Sequence, residues 1–336
     1  MVGARRRPAG GRRPGERAVT ASLRASAPWT GRDDGPGDQH ARWHSVIGPA
    51  APGVGADVMV VGFCSDEGVR RNLGRPGAVD GPAAVRAALA QLAAPRRADG
   101  SVPALADAGD VLVGDGDLEG AQELLGDAVR RIVDAGALAV VVGGGHEVAY
   151  GTFLGVAASR RAAPPARLGV LNLDAHFDLR AADRATSGTP FRQMFDRQAE
   201  RERSLAYAVA GLSPANNTRA LFDAAERLGV AVLPDDACTP EACRRFAEDF
   251  LAGVDVVQLS VDLDALPAAV APGVSAPAGF GVEVPAVRAL CRTVAASGKL
   301  AVVEVAELSP RFDVDQRTAR LAARLIDETV RVATSA

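Results

Sequence analysis

The sequence predicts an α/β protein: three layers, α/β/α, around an eight-stranded, mainly parallel sheet. Three observations predict it. From about residue 56 onward, short apolar runs alternate with amphipathic stretches, the pattern of βαβ units. Apolar residues make up 48% of the 336-residue chain, enough for a sizeable core. The polar residues of most chemical interest come just after the apolar runs, at the edge where open parallel sheets place their ligands.

The strand-like runs lie near residues 57–64, 105–113, 137–143, 168–174, 205–211, 230–233, 255–262 and 300–306. Helical patterns lie around 82–95, 117–135, 146–160, 190–201, 217–228, 240–252, 283–297 and 314–333. Together they form one domain, residues 53–336. Residues 1–52 differ: they are rich in Arg, Gly and Pro and show no hydrophobic periodicity, although they hold both tryptophans, Trp29 and Trp43. Such a segment is expected to be a disordered extension, because it has too little apolar surface to offset its ordering entropy. The expectation is a dispensable extension or a start codon placed too early, in preference to a nucleic-acid-binding tail, whose charge Asp33, Asp34 and Asp38 dilute.

Composition narrows the function. A net charge of −3 with only four histidines argues against nucleic-acid or membrane-surface binding, and no apolar run approaches membrane-spanning length. Cys64, Cys238, Cys243 and Cys291 contain no C-x-x-C pair, which fits a reducing cytoplasm. The expected partners are a small-molecule substrate and further copies of the chain in a homo-oligomer, with no nucleic acid and no membrane.

Taken in order, the first unusual stretch is the Gly- and Arg-rich segment from Ser65 to Pro82, too long for a plain βα turn. Next, the run ending at Val142 leads into Gly143-Gly-Gly-His146-Glu147. Three glycines allow close backbone approach, and the loop delivers His146 to the carboxyl edge of the sheet. The run Arg167-Leu-Gly-Val-Leu-Asn-Leu173 ends in Asp174-Ala-His176-Phe-Asp178. In an extended backbone, residues two apart point the same way, so these three side chains are expected to converge on one point as metal ligands. Farther on, Asn217 or Thr218 is placed to cap the helix that follows. A later strand then ends in Asp262-Leu-Asp264, repeating the spacing, and the last in Glu307-Leu-Ser-Pro310.

The tally is His146, Asp174, His176, Asp178, Asp262 and Asp264. Four carboxylates roughly neutralise two divalent cations, and an oxygen-rich set favours Mn²⁺ over Zn²⁺. Two such ions lower the pKa of a shared water enough to supply hydroxide at neutral pH, which points to hydrolysis of an electrophilic carbon.

With these residues assembled, the chain resembles the arginase/agmatinase (ureohydrolase) family from about residue 56 to its end. The resemblance is carried by Gly143-Gly-Gly-His146, Asp174-Ala-His-Phe-Asp178, Ser260-Val-Asp-Leu-Asp264 and Glu307-Leu-Ser-Pro310. Further motifs, Ser187-Gly-Thr-Pro-Phe-Arg-Gln193, Ala271-Pro-Gly-Val-Ser-Ala-Pro277 and Thr318-Ala-Arg-Leu-Ala-Ala323, are similar to the branch that hydrolyses N-formimidoyl-L-glutamate. The resemblance implies the family's arginase-like fold, a dimanganese centre, and release of L-glutamate and formamide in histidine degradation. A guanidino-acid or agmatine hydrolase releasing urea is the alternative. For the formimidoyl substrate, the resemblance implies that Glu307 holds the amidinium group, Asp178 carries the proton to the leaving amine, and Arg180, Arg192 and Ser187 bind the substrate carboxylates. Two departures stand out. Phe191 replaces a histidine that arginases carry, so a histidine proton shuttle is absent. Ser309 stands where Glu-x-Asn-Pro is usual.

Overall fold

In the computed structural model, which describes residues 21–51 and 54–335, ten strands form one sheet. They are β1 (Ser22–Arg24), β2 (Ile47–Pro49), β3 (Val58–Cys64), β4 (Leu105–Leu112), β5 (Leu138–Val142), β6 (Leu168–Leu173), β7 (Ala206–Leu212), β8 (Ala231–Pro234), β9 (Val256–Asp262) and β10 (Leu300–Ala306). Their order is β1-β4-β3-β5-β10-β9-β6-β7-β8, with β2 also pairing β4. Every pairing is parallel except β1 with β4. All eight predicted strands are present; the two extra ones are three-residue strands from the segment expected to be disordered.

The helices are α1 (Trp43–Val46), α2 (Glu67–Arg71), α3 (Gly81–Ala90), α4 (Leu118–Asp134), α5 (Val148–Ala158), α6 (Pro190–Ala199), α7 (Arg219–Leu228), α8 (Pro240–Ala252), α9 (Val284–Ala296) and α10 (Arg317–Ala333). They cover both faces of the sheet. One core packs residues of α3, α8, α9 and α10 against one face, and a second packs α4, α5, α6 and α7 against the other. This is why β5 is apolar without interruption: Leu138, Val140 and Val142 enter the first core, Ala139 and Val141 the second. Among the described residues no helix is long and apolar enough to cross a membrane.

The expectation of a disordered extension is corrected from residue 21 on; residues 1–20 lie outside the described residues. Trp43 is fully buried and its Nε1 donates to Asp327 Oδ1 at 2.8 Å. Trp29 stacks on it with ring centroids 6.4 Å apart and donates to Asp107 Oδ2 at 2.7 Å. Two tryptophans bury as much apolar surface as several smaller residues, and β1 adds ladder hydrogen bonds along β4. Low average hydrophobicity concealed a few large anchors.

The four central strands, β5, β10, β9 and β6, are the ones after which the predicted ligands come. The chain enters this group through β5, leaves it through β6, and returns later with β9 and β10 between them. That reversal opens a crevice at the carboxyl edge.

Candidate metal centre

Each station is fixed by its strand end. Asp174 continues the ladder, its N–H donating to Ala210 O at 2.9 Å. The chain then turns, and Asp178 adopts the left-handed region at φ 47°, as does Glu307 at φ 70°. Non-glycine residues are held there only by their surroundings, most often at functional sites. Glu307 is held by its N–H to Gly144 O at 2.8 Å and by its Oε1, which accepts the His146 N–H at 2.8 Å. Gly144 is needed for another reason: a Cβ there would lie 1.7 Å from Ser65 O, so only glycine lets the segment after β3 cross so closely.

The turn at Asp178 changes the expected convergence. Asp174, His176 and Asp178 meet at two points, because the backbone after Asp174 is not extended. His146 Nδ1 lies 3.1 Å from Asp174 Oδ2, 3.0 Å from Asp178 Oδ2 and 3.0 Å from Asp262 Oδ2. His176 Nδ1 lies 3.4 Å from Asp174 Oδ1 and 3.3 Å from Asp264 Oδ2. Asp174 belongs to both groups, one oxygen to each, so the two candidate ligand groups share a carboxylate.

The spacing fits cations better than hydrogen bonds. None of the three contacts to His146 Nδ1 has hydrogen-bond alignment, and that atom, Asp264 Oδ1 and Glu307 Oε2 are buried without partners among the described residues. Around an ion with bonds of about 2.1 Å, ligands at adjacent octahedral corners sit about 3 Å apart. The donor set, two imidazole nitrogens among carboxylates, suits two divalent ions.

Electrostatics points the same way. Burial pushes the Asp262 carboxyl far up, and the charge of Asp264 adds to it. Asp178 is raised by burial and by Asp174, Asp264 by burial, and Glu307 by burial with Asp262 beside it. Asp174 is held down: burial raises it, but both histidines outweigh that. Burial disfavours a charged imidazole, yet Asp264 and Asp174 push His176 up to about 12, and Asp262 leads the same effect on His146. Carboxylates crowded out of water cost free energy that cations recover, and metal binding must displace the imidazole protons.

Above this floor is a cavity of about 210 Å³, lined also by Asn72, Arg180, Ser187, Ser275 and Glu307. Arg180 Nη1 donates to Asn72 Oδ1 at 2.7 Å, and Asn72 Nδ2 donates to Ser187 Oγ at 3.1 Å. The cavity wall is completed where Arg75 N donates to Ser275 Oγ at 2.8 Å. A larger, shallower concavity of about 550 Å³ beside α8 and α9 lacks any such group of ligands.

Two expectations are corrected. Arg192 does not reach the cavity; it lies on α6 with its Nε 2.9 Å from Asp196 Oδ1, one helical turn on, and lines a separate hollow with Phe195 and Leu228. Asn217 is not a helix cap. Its Oδ1 accepts the Phe177 N–H at 3.1 Å and its Nδ2 donates to Ala175 O at 2.9 Å, clamping the ligand-bearing turn, while Thr218 at the N-cap makes no side-chain cap bond. Phe191 is fully buried, its ring edge-on to His146 with centroids 5.3 Å apart and stacked on Tyr207 at 4.5 Å, so this position offers packing and no group that can carry a proton.

Sequence reasoning passed over Asn72, Glu147, Asn172, Tyr207 and Ser260. Asn172 Nδ2 donates to Asp174 Oδ2 at 2.9 Å and lies 3.2 Å from Tyr207 OH. Glu147, pushed up by burial to about 7, accepts from Ser65 Oγ at 2.8 Å and Gly68 N at 2.9 Å. A signal existed for two of them: the alternation that pairs Asp262 with Asp264 also puts Ser260 on their side, and Asn172 on that of Asp174.

Residues 56–331 match the family model described as the Arginase family. A formimidoylglutamase of Nocardia farcinica is 56% identical over 311 residues, covering 92% of this chain and 97% of its own. The crystal structure of Trypanosoma cruzi formiminoglutamase with Mn²⁺ has a TM-score of 0.73 at 27% identity, over 82% of this chain and 93% of that one. The proclavaminate amidino hydrolase of Streptomyces clavuligerus has a TM-score of 0.72 at 28% identity, over 85% and 95%.

Proposed function

Because this chain belongs to the arginase family, we propose that it hydrolyses N-formimidoyl-L-glutamate to L-glutamate and formamide, using two Mn²⁺ ions. The single observation that carries the chemistry is the pair of ligand sets sharing Asp174 beneath a small polar cavity; the substrate rests on the relative 56% identical that bears the name of this activity.

His146, Asp174, Asp178 and Asp262 would hold one ion, and His176, Asp174 and Asp264 the other. When bound, the pair would lower the pKa of water to give hydroxide near neutral pH and draw electrons from the attacked carbon. The chain's own residues do the rest. The planar, cationic formimidoyl group is drawn to the carboxylate floor. Glu307 uses Oε1 to hold the His146 backbone, which leaves Oε2 to accept from the amidinium nitrogens and keep the carbon in line. Asp178, at 13% the most exposed aspartate of the cluster, carries the proton to the leaving amine. Arg180 and Ser187 bind a substrate carboxylate, with Asn72 joining them. Four free thiols support the cytoplasmic reading, and a homo-oligomer belongs to the same proposal.

The test is product analysis of manganese-reconstituted protein given N-formimidoyl-L-glutamate, arginine, agmatine or guanidinobutyrate. Formamide and glutamate from the first substrate alone are expected. Urea from a guanidino compound would keep the metal centre and replace the substrate.

A further inference from the structure

We propose that Ser260, backed by Glu304, sets the tautomer and aim of His146 and thereby the affinity of one of the two metal positions. An imidazole binds a cation through one nitrogen only if the proton sits on the other, and the group that takes that N–H decides which nitrogen faces the metal. His146 Nε2 lies 2.9 Å from Ser260 Oγ, in a region where both residues are buried. With Nε2–H donating to that hydroxyl, the Nδ1 lone pair faces the three carboxylate oxygens about it.

A hydroxyl that accepts from histidine has its own hydrogen to place. Across the β9–β10 pairing, Ser260 is in register with Glu304, whose carboxyl group is fully buried in the sheet. Glu304 is itself fixed, its Oε1 accepting from Gln258 Nε2 at 3.0 Å. The path from Glu304 through Ser260 to His146 thus runs along one side of two adjacent strands, and the edge of Phe191 confines the ring on the other. His176 differs: it is half-buried, and among the described residues no side chain bonds its Nε2. The arrangement makes Ser260 specific to one metal position.

This proposal rests on the metal reading of the site and not on the substrate, so substrate assays do not decide it. Equilibrium dialysis against Mn²⁺ with ion counting would compare wild type, Ser260→Ala and Ser260→Thr, alongside thermal melting of the metal-free proteins. In Ser260→Ala one ion should bind about 10- to 100-fold more weakly, the other as in wild type, with the metal-free melting temperature unchanged. Ser260→Thr, which keeps the hydroxyl, should regain most of the affinity. Wild-type affinity at both positions in Ser260→Ala, or equal weakening of both together with a lower metal-free melting temperature, would overturn it. A wild type that takes up no ion would overturn the metal reading itself, and this proposal with it.

Discussion

The sheet carries two buried clusters of charge, built on opposite plans. Beside β3 and β4, Arg86 of α3 grips Asp107 through Nε at 2.9 Å and Nη2 at 3.1 Å, and reaches Asp110 through Nη1 at 2.5 Å and Gly109 O through Nη2 at 3.1 Å. Asp107 also accepts from Gly109 N and Trp29 Nε1. Even the backbone makes room: a Cβ on Gly62 would lie 1.9 Å from Asp110 Oδ1. Every nitrogen of the guanidinium has a partner, so the cluster is closed. At the carboxyl ends of β5, β6, β9 and β10 carboxylates face one another instead, and buried atoms are left unpartnered. Burial does not distinguish the clusters. What does is whether the charges already satisfy one another, or wait for something that is not protein.

The largest effects should separate them by function. Converting Asp262 or His146 to Ala should remove activity and one ion per chain, measured as turnover and metal content of manganese-loaded protein. Arg86→Met should leave turnover per folded molecule within about twofold, since Arg86 touches no ligand. Normal turnover in manganese-loaded Asp262→Ala would mean the site has been misplaced.

Stability should invert the contrast. Asp107→Ala takes two bonds from the buried Arg86 and leaves it only Asp110 and Gly109 O, which should cost at least about 1.5–3 kcal/mol in denaturant unfolding. Asp262→Asn should do the reverse in metal-free protein. The Asp262 carboxyl is raised in the folded state by burial and by Asp264, so it costs stability above its unfolded pKa of about 4, increasingly as pH rises. Asparagine keeps an oxygen for the Asp264 N–H, now 2.8 Å away, and removes that charge. The variant should melt higher than wild type at pH 7 without metal and show no gain below about pH 4. Wild type with Mn²⁺ at 100 times its Kd should in turn gain about 2.7 kcal/mol, a gain that chelation reverses and Asp262→Asn largely lacks. A metal-free Asp262→Asn that melts well below wild type at pH 7 would mean that the open cluster is as self-satisfied as the closed one.

A smaller effect tests how the N-terminal segment joins the closed cluster. Trp29→Phe keeps the stacking surface on Trp43 but removes the bond to Asp107. A hydrogen bond to a charged group is worth about 1.5–3 kcal/mol, and because Trp29 is only half-buried the loss should fall at the lower end, read from the same denaturant curves. No loss would detach the segment from the cluster energetically.

The open cluster was legible in the sequence and the closed one was not, for a physical reason. Asp174, His176 and Asp178, like Asp262 and Asp264, stand two residues apart at the ends of apolar runs, so local geometry announces them. Arg86 and Asp107 come from different elements, and nothing near either one names the other. The same holds for Asn72, 108 residues from its partner Arg180, and for Asn217, which bonds back across 40 residues to Phe177. The eight main strands and their helices were readable because both cores demand periodicity over whole elements. The turn of Asp178 into the left-handed region was not, since a single backbone angle leaves no periodic trace. Nor was the anchoring of Trp29 and Trp43, which rests on two residues in an otherwise polar stretch.

The smallest expected effect comes from a third kind of charge, the exposed pair, and it also sharpens the substrate assignment. Arg180 and Arg192 look equivalent in sequence, each on the stretch that follows β6. Arg180 faces the cavity, with one guanidinium nitrogen used by Asn72 and the rest of the fork available to a carboxylate. Arg192 is paired with Asp196 on the surface of α6, and such a pair contributes about 0.3–0.5 kcal/mol. Arg180→Ala should therefore lower kcat/KM for N-formimidoyl-L-glutamate by about 10- to 100-fold, on the scale of one charge-assisted contact of about 1.5–3 kcal/mol, mainly through KM. Arg192→Ala should leave both kinetic constants within about twofold and lower the unfolding free energy by no more than about 0.5 kcal/mol. If Arg192→Ala proved the more damaging of the two, the substrate carboxylate would have to bind toward α6, and the cavity between Asn72, Ser187 and Ser275 would lose its assigned occupant.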